Sequence, residues 1–326
     1  MRRFLTALFA LLILAGLAVG GVFLWAQSVY QSPGPLAEAK TLVIEKGTGL
    51  AAIAERLQAE GVIADARIFI AAARLRELSV KAGEYAFPPA ISMAAALDLL
   101  GRGETVVRRL TVAEGLTTAQ VLALVREAEG LTGEITLSPA EGELLPETYH
   151  YAWGDSRDSV VERMRKAMRQ ALDEAWAARP EGYPLSKQQV LTLASIVEKE
   201  TALPAERPLV ASVFLNRLEA GMKLQSDPTV IYGLVNGQGP LDRPLTRDDL
   251  AKPTPYNTYA IPGLPPGPIC NVGKAALAAT INPPATKHLY FVADGNGGHA
   301  FASTLSEHNR NVARWRQIER DRGATR

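Results

Sequence analysis

Residues 191–201 read "LTLASIVEKET". Leu193, Ala194, Ile196 and Val197 have the spacing of a buried helix, which ends by placing two carboxylates, Glu198 and Glu200, around Lys199. Pro204 restricts Leu203 and stops the helix. One turn back from Glu200 lie Ile196 and Val197, and two turns back Leu193, whereas Glu198 stacks on Ala194 and Ser195. Glu200 is therefore the better desolvated acid of the two. It also sits in the last turn, where the negative end of the helix dipole disfavours a second negative charge. Both effects raise a carboxyl pKa, the property a general acid needs near neutral pH. The competing readings are that Glu198 and Glu200 are ordinary solvated helix-end residues, or that Glu200 pairs with Arg207.

Working outward, helices are predicted over 156–179, 187–203 and 205–220, the last ending at Gly221. Residues 222–285 are rich in Pro, Gly, Asn and Tyr and read as a long irregular stretch, which in a compact domain belongs to function. Within it "GLPPGPI", residues 263–269, reads as a rigid wall. "HLYFVADGNGGHAFAS" reads as a hairpin around Gly295–Gly298, followed by a helix from Ser306. Toward the N-terminus, "TLVIEKGTGLAAIAERLQAEGVI" is a strand, a turn at Lys46-Gly47-Thr48 and a helix. "RRLTVAEGLTTAQVLALVREAEGL" repeats that plan, with Thr117 or Thr118 as cap. Between them a helix capped by Ser92 closes at Gly101. Such strand-turn-helix units resemble LysM modules, which bind N-acetylated glycans.

The run from Phe4 to Ala26 carries no charge and is long enough to span a bilayer, since about 20 apolar residues suffice. Arg2 and Arg3 place the N-terminus in the cytoplasm and Trp25 and Tyr30 near the opposite interface, so the body faces outward. Residues 27–40 read as a polar spacer. The alternative to an anchor is a cleavable signal peptide, whose apolar region is usually about 7–15 residues.

Composition excludes several classes. With 35 basic and 34 acidic residues the net charge is +1, no footprint for nucleic acid. The chain has 4 histidines, none in an H-x-x-x-H pair, and a single cysteine, Cys270, so neither a zinc hydrolase nor an internal disulfide is indicated. Cys270 reads as a small packed side chain, and no cofactor is implied.

Several blocks in order, "LASIVEKET", "ASVFLNRLEAGMKLQSDPTVIYG", "PTPYNTYAIPGLPPGPICN" and "LYFVADGNGGHAF", resemble the MltG (YceG-like) family of membrane-anchored endolytic peptidoglycan transglycosylases. The resemblance runs from the anchor through residue 316. It implies cleavage of the β-1,4 bond between N-acetylmuramic acid and N-acetylglucosamine in nascent strands, leaving 1,6-anhydromuramyl ends. The family's essential glutamate, the second acid of its E-K-E-T motif, falls on Glu200. Peptidoglycan synthases are the partners it implies. The chain departs from the family at Glu147, where aspartate is usual, and at Val272, where proline is.

The loop blocks offer Gln225, Ser226, Asp227, Thr229, Tyr256, Asn257 and Thr258 as polar groups for N-acetyl sugars, with Tyr232 and Tyr259 as aromatic faces. Each has an ordinary structural reading too, as in the Asp227-Pro228 turn. If Asp227 stands across a cleft from Glu200, a two-carboxylate hydrolysis becomes possible. The expected architecture is α+β: a cytoplasmic tail (1–3), a transmembrane anchor (4–26), a spacer (27–40), a LysM-like module (41–108) and a catalytic module (109–326). The inner membrane is the expected location. A non-catalytic glycan-binding scaffold and a hydrolytic muramidase are the rival readings.

Overall fold

The computed structural model describes residues 2–324 and has mixed helices and strands. The chain divides into two compact units, the first running to Arg108 with Glu129–Thr132 and His150–Asp155 added, the second holding the rest.

In the first unit the elements are α1 (Arg2–Gln31), β1 (Lys40–Ile44), α2 (Leu50–Ala59), α3 (Ala66–Leu75), β2 (Gly83–Phe87) and α4 (Met93–Arg102). α1 is long and apolar enough to cross a membrane, its most apolar 18-residue window having a mean hydropathy of 2.6 and none of it buried against the rest of the chain. β1 and β2 pair antiparallel, Leu42 opposite Tyr85. Ile53, Ala54 and Leu57 of α2, Phe69 of α3 and Leu97 and Leu100 of α4 close a core on that pair. Asp65 caps α3 by accepting from the N–H groups of Arg67 and Ile68, and Ser92 caps α4 through Ala95. α4 closes on Gly103 in the left-handed conformation at φ 65°, so Gly101, the expected stop, lies inside the helix.

The spacer expected over 27–40 is not free. α1 continues to Gln31, and Val29 and Tyr30 pack on the core. Beyond it the Gly34 N–H donates to the Ala90 and Ile91 carbonyls, and the Ala90 N–H donates to that of Leu36 at 2.8 Å. A Cβ on Gly34 would meet the Ile91 oxygen at 2.3 Å, so the approach requires glycine. Leu36 is buried, and its burial seats the segment.

The chain continues with β3 (Arg108–Thr111), α5 (Thr118–Glu127), β4 (Thr148–Tyr151), α6 (Arg157–Ala177), α7 (Lys187–Glu200), α8 (Arg207–Glu219), α9 (Asp227–Val235), α10 (Arg247–Ala251), α11 (Lys274–Ile281), β5 (Tyr290–Ala293), β6 (His299–Ala302) and α12 (Leu305–Ala324). Thr117 caps α5 in a reciprocal box with Gln120. α7 starts from a similar box made by Ser186 and Gln189. From Val190 to Glu198 every residue of α7 is buried, so the helix is covered all round rather than along one stripe. It packs with α8 and α11 into one core holding Val197, Val210, Phe214, Cys270 and Leu277. β5 and β6 form the expected hairpin, Phe291 opposite Phe301.

Residues 222–285 contain three helices where an irregular stretch is expected. Pro228 sits in the first turn of α9, where its missing N–H costs nothing. Thr246 and Asp249 cap α10 reciprocally, and Gly273 opens the alanine-rich α11. α11 is helical because Ala276, Leu277 and Ile281 fill the core, a tertiary reason that local Pro and Gly counts do not register.

Candidate active site

Glu200 is the last residue of α7, because Thr201 turns extended at φ −144°, three residues before the predicted end. The residue as a whole is half-buried, while protein closely surrounds its carboxyl. That burial pushes its pKa up to about 7, and the nearby Asp227 pushes the same way. The Ser226 hydroxyl donates to Oε1 of Glu200, and the charges of His299 and Arg217 also favour the ionised form. A carboxyl poised between acid and base at neutral pH results. Arg207 does not pair with it.

Arg207 instead donates to Glu198 at 2.8 Å and to Glu114 at 2.9 Å. Glu198 exposes less surface than Glu200, but desolvation raises the Glu200 pKa more, in keeping with the reading from helix positions; the Glu198 pKa is also raised, chiefly by burial. The Gly273 N–H donates to its other oxygen at 3.0 Å. Both Glu198 oxygens are thus engaged within the protein, and Glu198 fastens α7 in place. Lys199 donates to the Gly115 carbonyl at 3.2 Å on the far side.

The loop residues divide by what they touch. Ser226 reaches Glu200 directly. Asp227 is exposed and accepts from the Tyr259 hydroxyl at 2.6 Å. Burial raises the Tyr259 pKa, with Asp227 second, so the phenol stays protonated and keeps donating. Gln225 is exposed in the left-handed region at φ 52°, which turns the chain so that Ser226 points inward. Thr229 and Thr258 are fully buried and bond each other at 2.8 Å, and Thr258 also accepts from the Ser226 N–H at 2.9 Å. Asn257 is fully buried, its amide donating to the carbonyls of Asp249, Leu250 and Lys252. These three shape the loop beneath Ser226. Tyr232 and Tyr256 face each other with ring centroids 4.7 Å apart.

Residues 42–314 match the model of the YceG-like family. The chain belongs to that family. The endolytic murein transglycosylase of Bacillus subtilis (strain 168) is 31% identical over 332 residues, which span 90% of each chain. The protein of the same name from Streptococcus pneumoniae (serotype 2) is 31% identical over 356 residues, 93% of this chain, which spans 64% of that longer relative. A crystal structure of a yceG-like protein from Listeria monocytogenes superposes with a TM-score of 0.52 at 30% identity, covering 84% of this chain and 98% of the other.

In this YceG-like chain a cavity of about 570 Å³ opens beside the site, lined among others by Asp227, Tyr232, Lys199, Thr117 and Arg243. Its size falls in the range that holds ligands of several hundred daltons. Asp227 joins the cavity to Glu200, since it lines the one and acts on the charge of the other. Cys270 is fully buried, its thiol pKa pushed well above the ordinary value, in keeping with a packed side chain. Sequence reasoning missed three residues: Arg217, buried and donating to the Leu289 and Leu224 carbonyls, and the pair Glu206 and His299. His299 stands in a block quoted for the resemblance, "GGHAF", but nothing in local spacing connects it to α7.

Proposed function

We propose that this chain is an endolytic murein transglycosylase that cleaves the bond between N-acetylmuramic acid and N-acetylglucosamine within glycan strands. The observation that carries the reading is the Glu200 carboxyl, surrounded by protein and held near pKa 7, within the electrostatic reach of Asp227, which lines a cavity of about 570 Å³. The named activity of the relatives from Bacillus subtilis and Streptococcus pneumoniae supports the same reaction.

One carboxyl suffices if the sugar supplies its own nucleophile. Glu200 first gives its proton to the glycosidic oxygen as the C1–O bond breaks. The C6 hydroxyl of the muramyl unit then bonds to C1, and its proton passes to the Glu200 carboxylate. The acid is restored, no water is consumed, and a 1,6-anhydro end remains. Ser226 orients the carboxyl throughout. Asp227 and Tyr259, with Gln225, Tyr232 and Tyr256, are the side chains in this reading that meet the strand, while Thr229, Asn257 and Thr258 support the loop that presents them.

The wider assignment follows. α1 anchors the chain in the inner membrane with Arg2 and Arg3 inside and the body in the periplasm. Residues 41–108 act as a LysM-like glycan-binding module, a role supported by the β1, α2, α3, β2 order. Peptidoglycan synthases are the partners of an enzyme that ends elongation of new strands.

Glu200→Gln keeps the shape and removes the transferable proton, so strand cleavage should fall by about 10²–10⁴-fold with strand binding retained. Cleavage at the parent rate removes Glu200 from the mechanism and leaves a glycan-binding scaffold. A second reading, hydrolysis, is favoured by the nearness of Asp227 to Glu200. Mass spectrometry of the products separates the two, because anhydro ends are lighter than reducing ends by one water.

A further inference from the structure

α8 begins by gripping the end of α7 on both sides of Glu200. Arg207 holds Glu198, as described. Glu206 accepts from the Thr201 hydroxyl at 3.0 Å, from the His299 backbone N–H at 2.7 Å and from the His299 ring Nδ1, also at 2.7 Å. These donors, the backbone and side-chain hydrogen bonds of His299 foremost, offset burial and hold the Glu206 carboxyl below its usual range, so it is a carboxylate at neutral pH. A carboxylate cannot donate, so the ring hydrogen is on Nδ1 and Nε2 is the basic nitrogen. Phe291 and Phe301 meet the ring edge to face, with centroids 5.3 and 6.4 Å away, and fix its plane. A Cβ on Gly298 would lie 2.6 Å from a Glu206 oxygen, so the hairpin carries glycine where it must let this carboxylate in.

One residue, Glu206, therefore ties the position after the acid to an imidazole on a different element. We propose that His299, tethered through Glu206 to Thr201, is a positioning residue for the Glu200 carboxyl. This rests on Glu200 being the general acid. The groups that face Glu200 are Ser226 just before α9, Asp227 of α9, Arg217 of α8 and His299 of β6, with Tyr259 reaching it through Asp227. Those that face His299 are Glu206, Glu200 and Asp294 of the hairpin. Positive charge on the His299 ring favours the Glu200 carboxylate. Thr201 adds a mechanical link, because movement of the ring pulls on the residue next to the acid.

The test is steady-state cleavage of glycan strands by the full chain across pH, with His299→Gln and Glu206→Gln measured beside the parent and Glu200→Gln. Loss of the His299 ring should move the alkaline limb of the kcat profile upward by about half a unit or more. It should also lower kcat about tenfold with KM within about twofold, the mark of an interaction made in the transition state. Glu206→Gln keeps the ring but loosens it, and should lower kcat with a smaller move of the limb. If His299→Gln does not fold, His299→Asn, whose amide can still donate to Glu206, is read by the same criteria. The inference is overturned if the His299 variants keep the parent's profile, or if kcat falls in step with the melting temperature while the limb stays in place. If Glu200→Gln itself still cleaves, the proposed function fails first; if it is inactive and the His299 variants are unchanged, only this inference fails.

Discussion

Around Phe69, Tyr85 and Leu97 the first unit buries side chains that are almost all apolar, Glu84 being the charged exception, and Arg108 pairs with it at 2.7 Å. Around α7 the second unit buries Ser195, Glu198, Arg217, Ser226, Asn257 and Asn271 as well as its aliphatic side chains. A buried polar group costs free energy unless it finds a partner, and those of the second unit find theirs in each other and in loop backbone. Asn271, for example, accepts from the Leu144 N–H at 2.9 Å and donates to the Leu116 carbonyl at 3.2 Å. The interior of the first unit is thus almost wholly apolar, while the second spends part of its interior on fixing loops and one carboxyl. Polarity inside a core marks where geometry is being controlled.

The contrast is tested most strongly by truncation on each side. Phe69→Ala should destabilise the first unit by about 3–5 kcal/mol, read as a shift of its transition in chemical denaturation. Leu193→Ala in α7 should cost about 2–5 kcal/mol in the second unit and also displace the pH profile of cleavage, because α7 carries Glu200. A Leu193 variant with a normal profile would mean that the acid's setting does not depend on the packing beneath it.

Much of this arrangement is legible in the chain, for reasons that are local. The caps at Ser92 and Thr117, the hairpin around Gly295 and the acid at the end of a buried helix all follow from residues within a turn or two of one another. What is not legible depends on distant partners. Glu198 is buried because Arg207, 9 positions on, and the Gly273 N–H, 75 positions on, both come to it. The helical state of 274–281 depends on the core that receives it, and the seating of Leu36 depends on a loop near residue 90. His299 reaches the site through Glu206, 93 positions away, so no spacing could announce it.

The raised pKa of Glu200 is also a stability statement. Between about pH 4.5, its ordinary value, and about 7 the folded chain holds a proton that the unfolded chain has released. Folding takes up that proton, so stability is highest below the window and falls as pH rises through it, by about 3 kcal/mol at most since solvent still reaches part of the residue. Glu200→Gln cannot ionise and escapes the loss. It should therefore be more stable than the parent at about pH 8 and no more stable at about pH 4, by thermal or urea unfolding. A gap that does not change with pH would place the carboxyl in open water and remove the contrast between the two interiors at its most important point.

The finest of these effects belongs to Ser226. Its hydroxyl donates to the Glu200 carboxyl and stabilises the ionised form. Ser226→Ala removes the donor while the backbone of Ser226, held by the Thr258 hydroxyl, stays in place. The pKa of Glu200 should then rise further, moving the alkaline limb of the cleavage profile upward. Folding stability above that pH should drop by about 0.5–1.5 kcal/mol, the usual net worth of one hydrogen bond. Below the window the carboxyl is protonated in both chains, so their stabilities should converge. A downward move of the limb would mean that the hydroxyl serves the protonated acid instead, accepting from it and helping to keep the proton on Glu200.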